Sequence, residues 1–189
     1  VAESLAANDG VRAEALVRQA EARLKLGEID EALIMLKSSV RLANNAERAA
    51  ALQQYYAETL QKLGQHQLSV DAFQDFLEAF SPFGNVVEAH WGKAWSLWEL
   101  GRYAEAAGAF ENVMELTEDP ARRVEAQFKI ADAALAEEQY SLAAERFTSF
   151  VGEYPDHPLC TQAVIQQAEA MVQGGNAEDA QMVLEKLLS

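Results

Sequence analysis

The chain has 189 residues, half of them apolar, with 10 Gly, 4 Pro and a single Cys. Fifteen Lys and Arg stand against thirty Asp and Glu, a net charge of −15, which opposes nucleic acid and anionic membranes because both need a positive surface. Disorder is excluded by the apolar content, and no apolar run approaches the ~18 residues of a membrane-spanning helix. One cysteine allows no internal disulfide.

In chain order the predicted elements are helices, and they recur. Residues 1–10 contain "SLAAND", which aligns with "RLANNA" (41–46) one interval later. They read as the tail of the second helix of a truncated preceding repeat. From residue 11 to 189 the chain reads as a single array of five helix pairs, approximately 13–49, 50–86, 87–123, 124–160 and 161–189. The pairs turn in "LGEIDEAL" (26–33), "LGQHQLSV" (63–70), "LGRYAEAA" (100–107), "EEQYSLAA" (137–144) and "GGNAEDAQ" (174–181). The turn position falls at Gly27, Gly64, Gly101, Glu138 and Gly175, a constant step of 37 residues.

Other columns keep the same step. Ala20, Ala57, Ala94, Ala131 and Ala168 precede the turn by seven residues. Ala32, Ser69, Ala106, Ala143 and Ala180 follow it by five, and Leu36, Phe73, Phe110, Phe147 and Leu184 by nine. Each unit therefore predicts a first helix from roughly 12 residues before the turn and a second from two residues after it. Small columns let antiparallel helices approach, and the large column fills the gap between units.

The links "SPFGN" (81–85), "TEDPAR" (117–122) and "YPDHP" (154–158) hold every proline. Asp119-Pro120 fits an N-cap followed by proline at the first helical position. Pro155 ends one helix, and Pro158 is expected to begin the next.

These columns resemble the tetratricopeptide repeat, with "EAHWGKAWSLWELGRYAEAAGAF" (88–110) the nearest copy. The resemblance covers about 13–189 and implies an all-α, right-handed superhelical solenoid of antiparallel helix pairs. Two departures stand out. The step is longer than the usual ~34, and the large aromatic expected in the first helix is replaced by Leu16, Gln53, His90, Gln127 and Val164. The second unit is the weakest, with Gln53, Gln54 and Gln61 at inward positions. The link "FTSFVGEYPDHP" (147–158) resembles that of bacterial cell-envelope proteins serving the outer-membrane assembly machine and the Tol–Pal system. That likeness implies a periplasmic or outer-membrane-associated adaptor, the alternative being a cytoplasmic one.

The three tryptophans stand at 91, 95 and 98. The columns of Trp91 (Val17, Gln54, Phe128, Ile165) and Trp98 (Leu24, Gln61, Leu135, Val172) are mostly apolar, so both rings read as packing residues. Trp95 replaces a carboxylate: its column holds Glu21, Glu58, Asp132 and Glu169. In the tetratricopeptide geometry that column faces the concave groove. An indole there is either a binding anchor or a ring laid against Trp91 or Trp98. Candidate groove residues are Glu21, Tyr55, Glu58, Trp95, Glu99, Lys129, Asp132 and Glu169, and they favour a peptide or protein partner with apolar anchors and some positive charge. Family members that bind chaperones grip a terminal carboxylate with Lys and Asn, but this chain is acidic at the Asn column.

The expected function is non-catalytic scaffolding, with no cofactor, metal, nucleic acid or direct membrane insertion. The alternative is a structural spacer that self-associates through end-helix residues Val183, Leu184, Leu187 and Leu188. His66, His90 and His157 share no metal-ligand spacing. His157 and Cys160 form the one conceivable nucleophile pair, set against the plainer reading of an ordinary link.

Overall fold

The computed structural model describes the backbone of residues 2–188 and the side chains of residues 8–188. At the turn column, Gly27, Gly64, Gly101 and Gly175 hold φ of +80°, +72°, +71° and +87°. Glu138, the fifth member, takes 57°, and no other described non-glycine residue has a positive φ. A left-handed residue there reverses the chain so that the next N–H reaches back to an orphan carbonyl of the last turn. Five such bonds form, with Glu28 N donating to Arg23 O (3.0 Å), Gln65 to Leu60 (2.9 Å), Arg102 to Leu97 (3.0 Å), Gln139 to Ala134 (2.9 Å) and Asn176 to Met171 (2.7 Å).

Among the described residues there are ten α-helices and no strand: α1 (Ala2–Leu26), α2 (Ile29–Arg41), α3 (Ala46–Lys62), α4 (His66–Ala79), α5 (Val86–Glu99), α6 (Tyr103–Leu116), α7 (Pro120–Ala136), α8 (Tyr140–Glu153), α9 (Cys160–Gln173) and α10 (Ala177–Leu188). A short 3₁₀ turn, Ser81–Phe83, follows α4. Every even-numbered helix begins two residues after its turn position, as the spacing predicts. The first helices α3 and α7 begin well before the expected positions, each behind a side-chain cap. Asn45 Oδ1 accepts from Arg48 N (2.8 Å), and Asp119 Oδ1 from Ala121 N (3.0 Å) with Pro120 at the first position. In α3 and α7 the longer step goes into a longer first helix of 17 residues, whereas α5 and α9 have 14.

Two local readings change. Pro158 does not begin α9; it lies in the turn, and the helix starts at Cys160. There the Leu159 N–H donates to His157 Nδ1 (3.2 Å) and the Cys160 N–H to His157 O (2.8 Å), which forms a separate turn before the helix. From residue 2 on, the stretch 1–10 lies within α1, continuous with the first helix of the first pair.

The chain divides into two compact units between Ser96 and Leu97. In the first, Leu36, Leu60, Phe73 and Phe76 pack on Ala20, Ala57 and Ala89. Burying each phenylalanine stabilises by about 1.5–3 kcal/mol. The helices approach so closely that Gly92 faces the Phe73 ring. Several buried serines and glutamines are paired, as burial favours, whereas Arg48 Nε, His66 Nδ1 and His90 Nδ1 are buried without a hydrogen-bond partner. Ser69 Oγ donates to Ala57 O (3.1 Å) and Ser96 Oγ to Ser69 Oγ (3.0 Å). Gln53 Nε2 donates to Ala72 O (2.8 Å) and Gln61 Nε2 to Gly92 O (3.1 Å), so these glutamines fasten neighbouring helices. In the second unit Phe128 meets Phe147 and Phe150 edge-on at 5.7 and 5.5 Å, above Ala131, Ala143, Ala163 and Ala170.

Candidate functional site

The predicted groove residues divide between the two units. Glu21, Tyr55, Glu58 and Trp95 belong to the first, carried by α1, α3 and α5. Glu99, Lys129, Asp132 and Glu169 belong to the second, carried by the end of α5, by α7 and by α9.

In the first unit, α1 and α3 frame an open groove of about 370 Å³ lined by Val17, Arg18, Glu21, Arg48, Leu52 and Tyr55. Arg18 pairs with Glu21 at 3.1 Å and Arg48 with Glu14 at 3.2 Å. The Tyr55 hydroxyl hydrogen-bonds with Glu21. Partial burial, then the adjacent carboxylate, push that phenol above its ordinary pKa. Glu58 accepts from Gln54 Nε2 at 2.9 Å. Trp95 is half-buried and meets Trp91 edge-to-face at 5.9 Å and 76°. Trp91 and Trp98 are half-buried as well.

In the second unit the polar side chains converge on Asp132. Lys129 Nζ lies 2.8 Å from Asp132 Oδ2, and Gln166 Nε2 donates to Asp132 Oδ1 at 2.8 Å. The same ammonium stands 4.4 Å from the centre of the Trp98 ring, a cation–π contact of about 0.5–1 kcal/mol where solvent reaches it. Trp98 in turn meets Tyr103 edge-on at 5.0 Å. Asp132, Glu138, Tyr140, Gln166 and Glu169 line an open basin of about 500 Å³. Gln166 Oε1 is buried there without a hydrogen-bond partner. Glu99 is exposed.

The column logic missed one groove. Some 680 Å³ lie open among α6, α7 and α8, lined by Glu111, Arg123, Gln127, Arg146, Glu153 and Tyr154 among others. The Tyr154 hydroxyl sits 3.0 Å from Gln127 Oε1 and 2.8 Å from Glu153 Oε1, while Gln127 Nε2 donates to Glu153 Oε2 (2.9 Å). Hydrogen bonds from Gln127 and Tyr154 hold Glu153 below its usual pKa; burial and the Glu153 carboxylate raise that of Tyr154. The Tyr154-Pro155 link was the sequence signal for this corner.

His157 Nδ1 is occupied by a backbone N–H, and its ring stands edge-on to Phe150 and Tyr154. Cys160 lines a different, largely apolar groove with Val151, Val164 and Leu187. His90 is half-buried with Nδ1 unpartnered, and burial, then Lys93, lower its pKa. Among the described residues no group of three or more His, Cys, Asp or Glu is placed to hold a metal ion, and no helix is long and apolar enough to cross a membrane. Both faces offer ion pairing, hydrogen bonding and aromatic contact.

Two family profiles match the sequence, both described as tetratricopeptide repeat: one over residues 56–122, the other over 14–43 and 125–157. No curated protein matches. Among solved structures, nearly identical TPR-like repeats assigned to a kinesin light chain of Podosopora anserina are 22% identical, with 92% of each chain covered and a TM-score of 0.65. MamA from Desulfovibrio magneticus RS-1 is 21% identical over 94% of this chain and 93% of that one, at 0.64. YrrB, described as a TPR protein with an unusual peptide-binding site, is 18% identical over 90% and 82%, at 0.63. At such identities the likeness shows the fold, a solenoid of helix pairs. Profiles that together match well over half of the length, on hairpins that step by 37 residues, show that the chain belongs to the tetratricopeptide repeat family.

Proposed function

We propose that this chain is a non-catalytic adaptor that binds a peptide or protein segment on the face formed by the first helices of its repeats. One observation carries the reading. Trp95 stands in a column otherwise made of Glu21, Glu58, Asp132 and Glu169, and it is half-buried against Trp91 rather than sunk in the core. An indole partly open to solvent suits an apolar anchor, and the acidic residues that share its column in the other repeats suit flanking positive charge. Tyr55 and Glu58 belong to the same unit and serve the same segment; Lys129, Asp132 and Glu169 give the second unit a polar face of its own. YrrB, described as having a peptide-binding site, lends the reading support by analogy of fold.

The setting we propose is a bacterial cell-envelope assembly, in the periplasm or at the outer membrane. The support is the resemblance of the "FTSFVGEYPDHP" link, whose Tyr154 ties Glu153 to Gln127 of α7. Selection from a random peptide library on the immobilised chain tests the binding reading. Enriched peptides combine Lys or Arg with Leu, Phe or Trp. Enrichment of acidic peptides, or of none, contradicts it. Fractionating the source cell tests the setting: recovery in the cytosol alone rejects it.

A further inference from the structure

The groove among α6, α7 and α8 has an apolar floor and acidic walls. Met114, Ile130 and Leu142, one from each helix, are buried or half-buried along it. Glu111 and Glu115 of α6 and Glu145 and Glu153 of α8 stand exposed at its sides. Residues three or four apart on a helix share a face, so α6 presents Glu111, Met114 and Glu115 together, and α8 presents Leu142 with Glu145. Two guanidinium groups also line the groove, and both are engaged. Arg123 Nη2 donates to Thr117 O (2.7 Å). Arg146 Nη1 donates to Ile130 O (3.4 Å), and its Nη2 lies 3.6 Å from Glu111. The Glu115 and Glu145 carboxylates meet no cation among the described residues. Hydrogen bonds from Gln127 and Tyr154 hold Glu153 in its charged form at the end of the groove.

The acidic walls are peculiar to this junction. One step of 37 residues later, the groove among α8, α9 and α10 has Thr148 and Gly152 where Glu111 and Glu115 stand, and Cys160 and Val164 in place of Arg123 and Gln127. Its lining holds no carboxylate among the described residues, and Lys186 takes the place of Ser149. The α6–α7–α8 groove also lies inside the array, because the pair α9–α10 follows it and leaves it open. Its charge is therefore not a property of the repeat, and its openness does not depend on the next pair.

We infer that this groove is a docking site for a basic segment of a partner protein, which sets apolar side chains on Met114, Ile130 and Leu142 and pairs Lys or Arg with Glu115 and Glu145. Charge complementarity singles out that occupant. An incoming cation finds carboxylates without a partner, whereas an acidic segment meets like charge on both walls. One step back along the chain, Glu145 and Glu153 match positions 108 and 116 of α6. The four carboxylates thus span about 12 Å at ~1.5 Å per residue, the reach of about four extended residues. The groove is carried by the second unit and Trp95 by the first, so this site stands independently of the Trp95 reading.

Isothermal titration calorimetry with a defined probe tests this. The probe is a seven-residue peptide alternating Lys and Leu, with both ends blocked. All measurements use the Trp95→Ala background, so that binding at Trp95 cannot be mistaken for binding here. Glu115→Gln combined with Glu145→Gln is expected to weaken probe binding about tenfold or more, with helical circular dichroism unchanged. Glu31→Gln combined with Glu47→Gln removes the same charge from two exposed sites of the first unit and is expected to change affinity by less than about twofold. A peptide alternating Lys and Ser leaves the apolar floor uncovered and is expected to bind about tenfold more weakly or worse. Failure of the Lys–Leu probe to bind at up to roughly 1 mM overturns the inference. If Trp95→Ala alone causes that failure, the groove site falls while the Trp95 reading stands. Unchanged affinity in the groove variant, an equal loss in the first-unit variant, or equal binding of the Lys–Ser peptide also overturns it.

Discussion

A Cβ placed on Gly92 of α5 would stand 2.2 Å from Cζ of Phe73 in α4. The phenylalanine is 1% exposed and cannot swing aside. Two effects then oppose each other in Gly92→Ala. Helix propensity favours alanine by about 1 kcal/mol, and overpacking costs about 1–3 kcal/mol. The clash wins, and urea denaturation is expected to show a net loss of about 1–2 kcal/mol. Gly108 in α6 has nothing within 4 Å of its would-be Cβ, so Gly108→Ala is expected to stabilise by about 1 kcal/mol. Two effects of the same sign would contradict this account of the helix contact.

Glu138 holds the one turn position without glycine, at φ 57°. A side chain in the left-handed region costs about 1–2 kcal/mol, and glycine's greater freedom in the unfolded chain returns about 0.5–1 kcal/mol of that. Glu138→Gly is therefore expected to stabilise by about 0.5–1 kcal/mol in thermal or urea unfolding. Gly101→Ala, at φ +71° with open space around it, is expected to lose about 1 kcal/mol. Equal stabilities across these variants would mean that the turns are less constrained than their dihedrals state.

His90 gives stability a pH dependence. Burial, then Lys93, depress its pKa below the unfolded value near 6.5. The unfolded chain therefore binds a proton before the folded chain does. The resulting stability is full above about pH 6.5 and is lost as pH falls through the depressed folded value. Melting temperature is expected to fall between about pH 7 and pH 5, above the range where Glu153 begins to titrate. His90→Phe is expected to remove most of that slope. An unchanged slope in the variant would assign it to another group.

The hairpin step was legible because it is written in backbone conformation. Four glycines and one glutamate share a left-handed turn, and the alanines before them are buried against the partner helix. Helix starts were less legible, since they depend on single side chains: Asn45 and Asp119 cap the long first helices α3 and α7, and His157 holds a turn that keeps Pro158 out of α9. Gln53 and Gln61 looked like defects in an apolar column, but each donates to a carbonyl of a neighbouring helix, a partner that no column displays. At the last pair the columns stop predicting burial. Ile165, Val172, Leu184 and Leu187 are exposed although Phe128, Phe147 and Phe150, one step before three of them, are buried, a difference of surroundings that residue type does not encode. The candidate groove residues were legible as columns. Their pairing was not: Lys129 and Gln166 converge on Asp132 through side-chain conformations that spacing does not encode.

The binding role of Trp95 is tested most directly by Trp95→Glu, which restores the acidic residue of the other four repeats. Stability and affinity for a library-selected cationic peptide are measured on the same preparation. The account predicts unfolding free energy within about 1 kcal/mol of native, the range for a surface change, and affinity at least ~10-fold weaker, as for loss of an aromatic anchor. Native affinity in the variant, or a chain destabilised by more than about 2 kcal/mol with its binding intact, would show that the indole serves packing and not recognition.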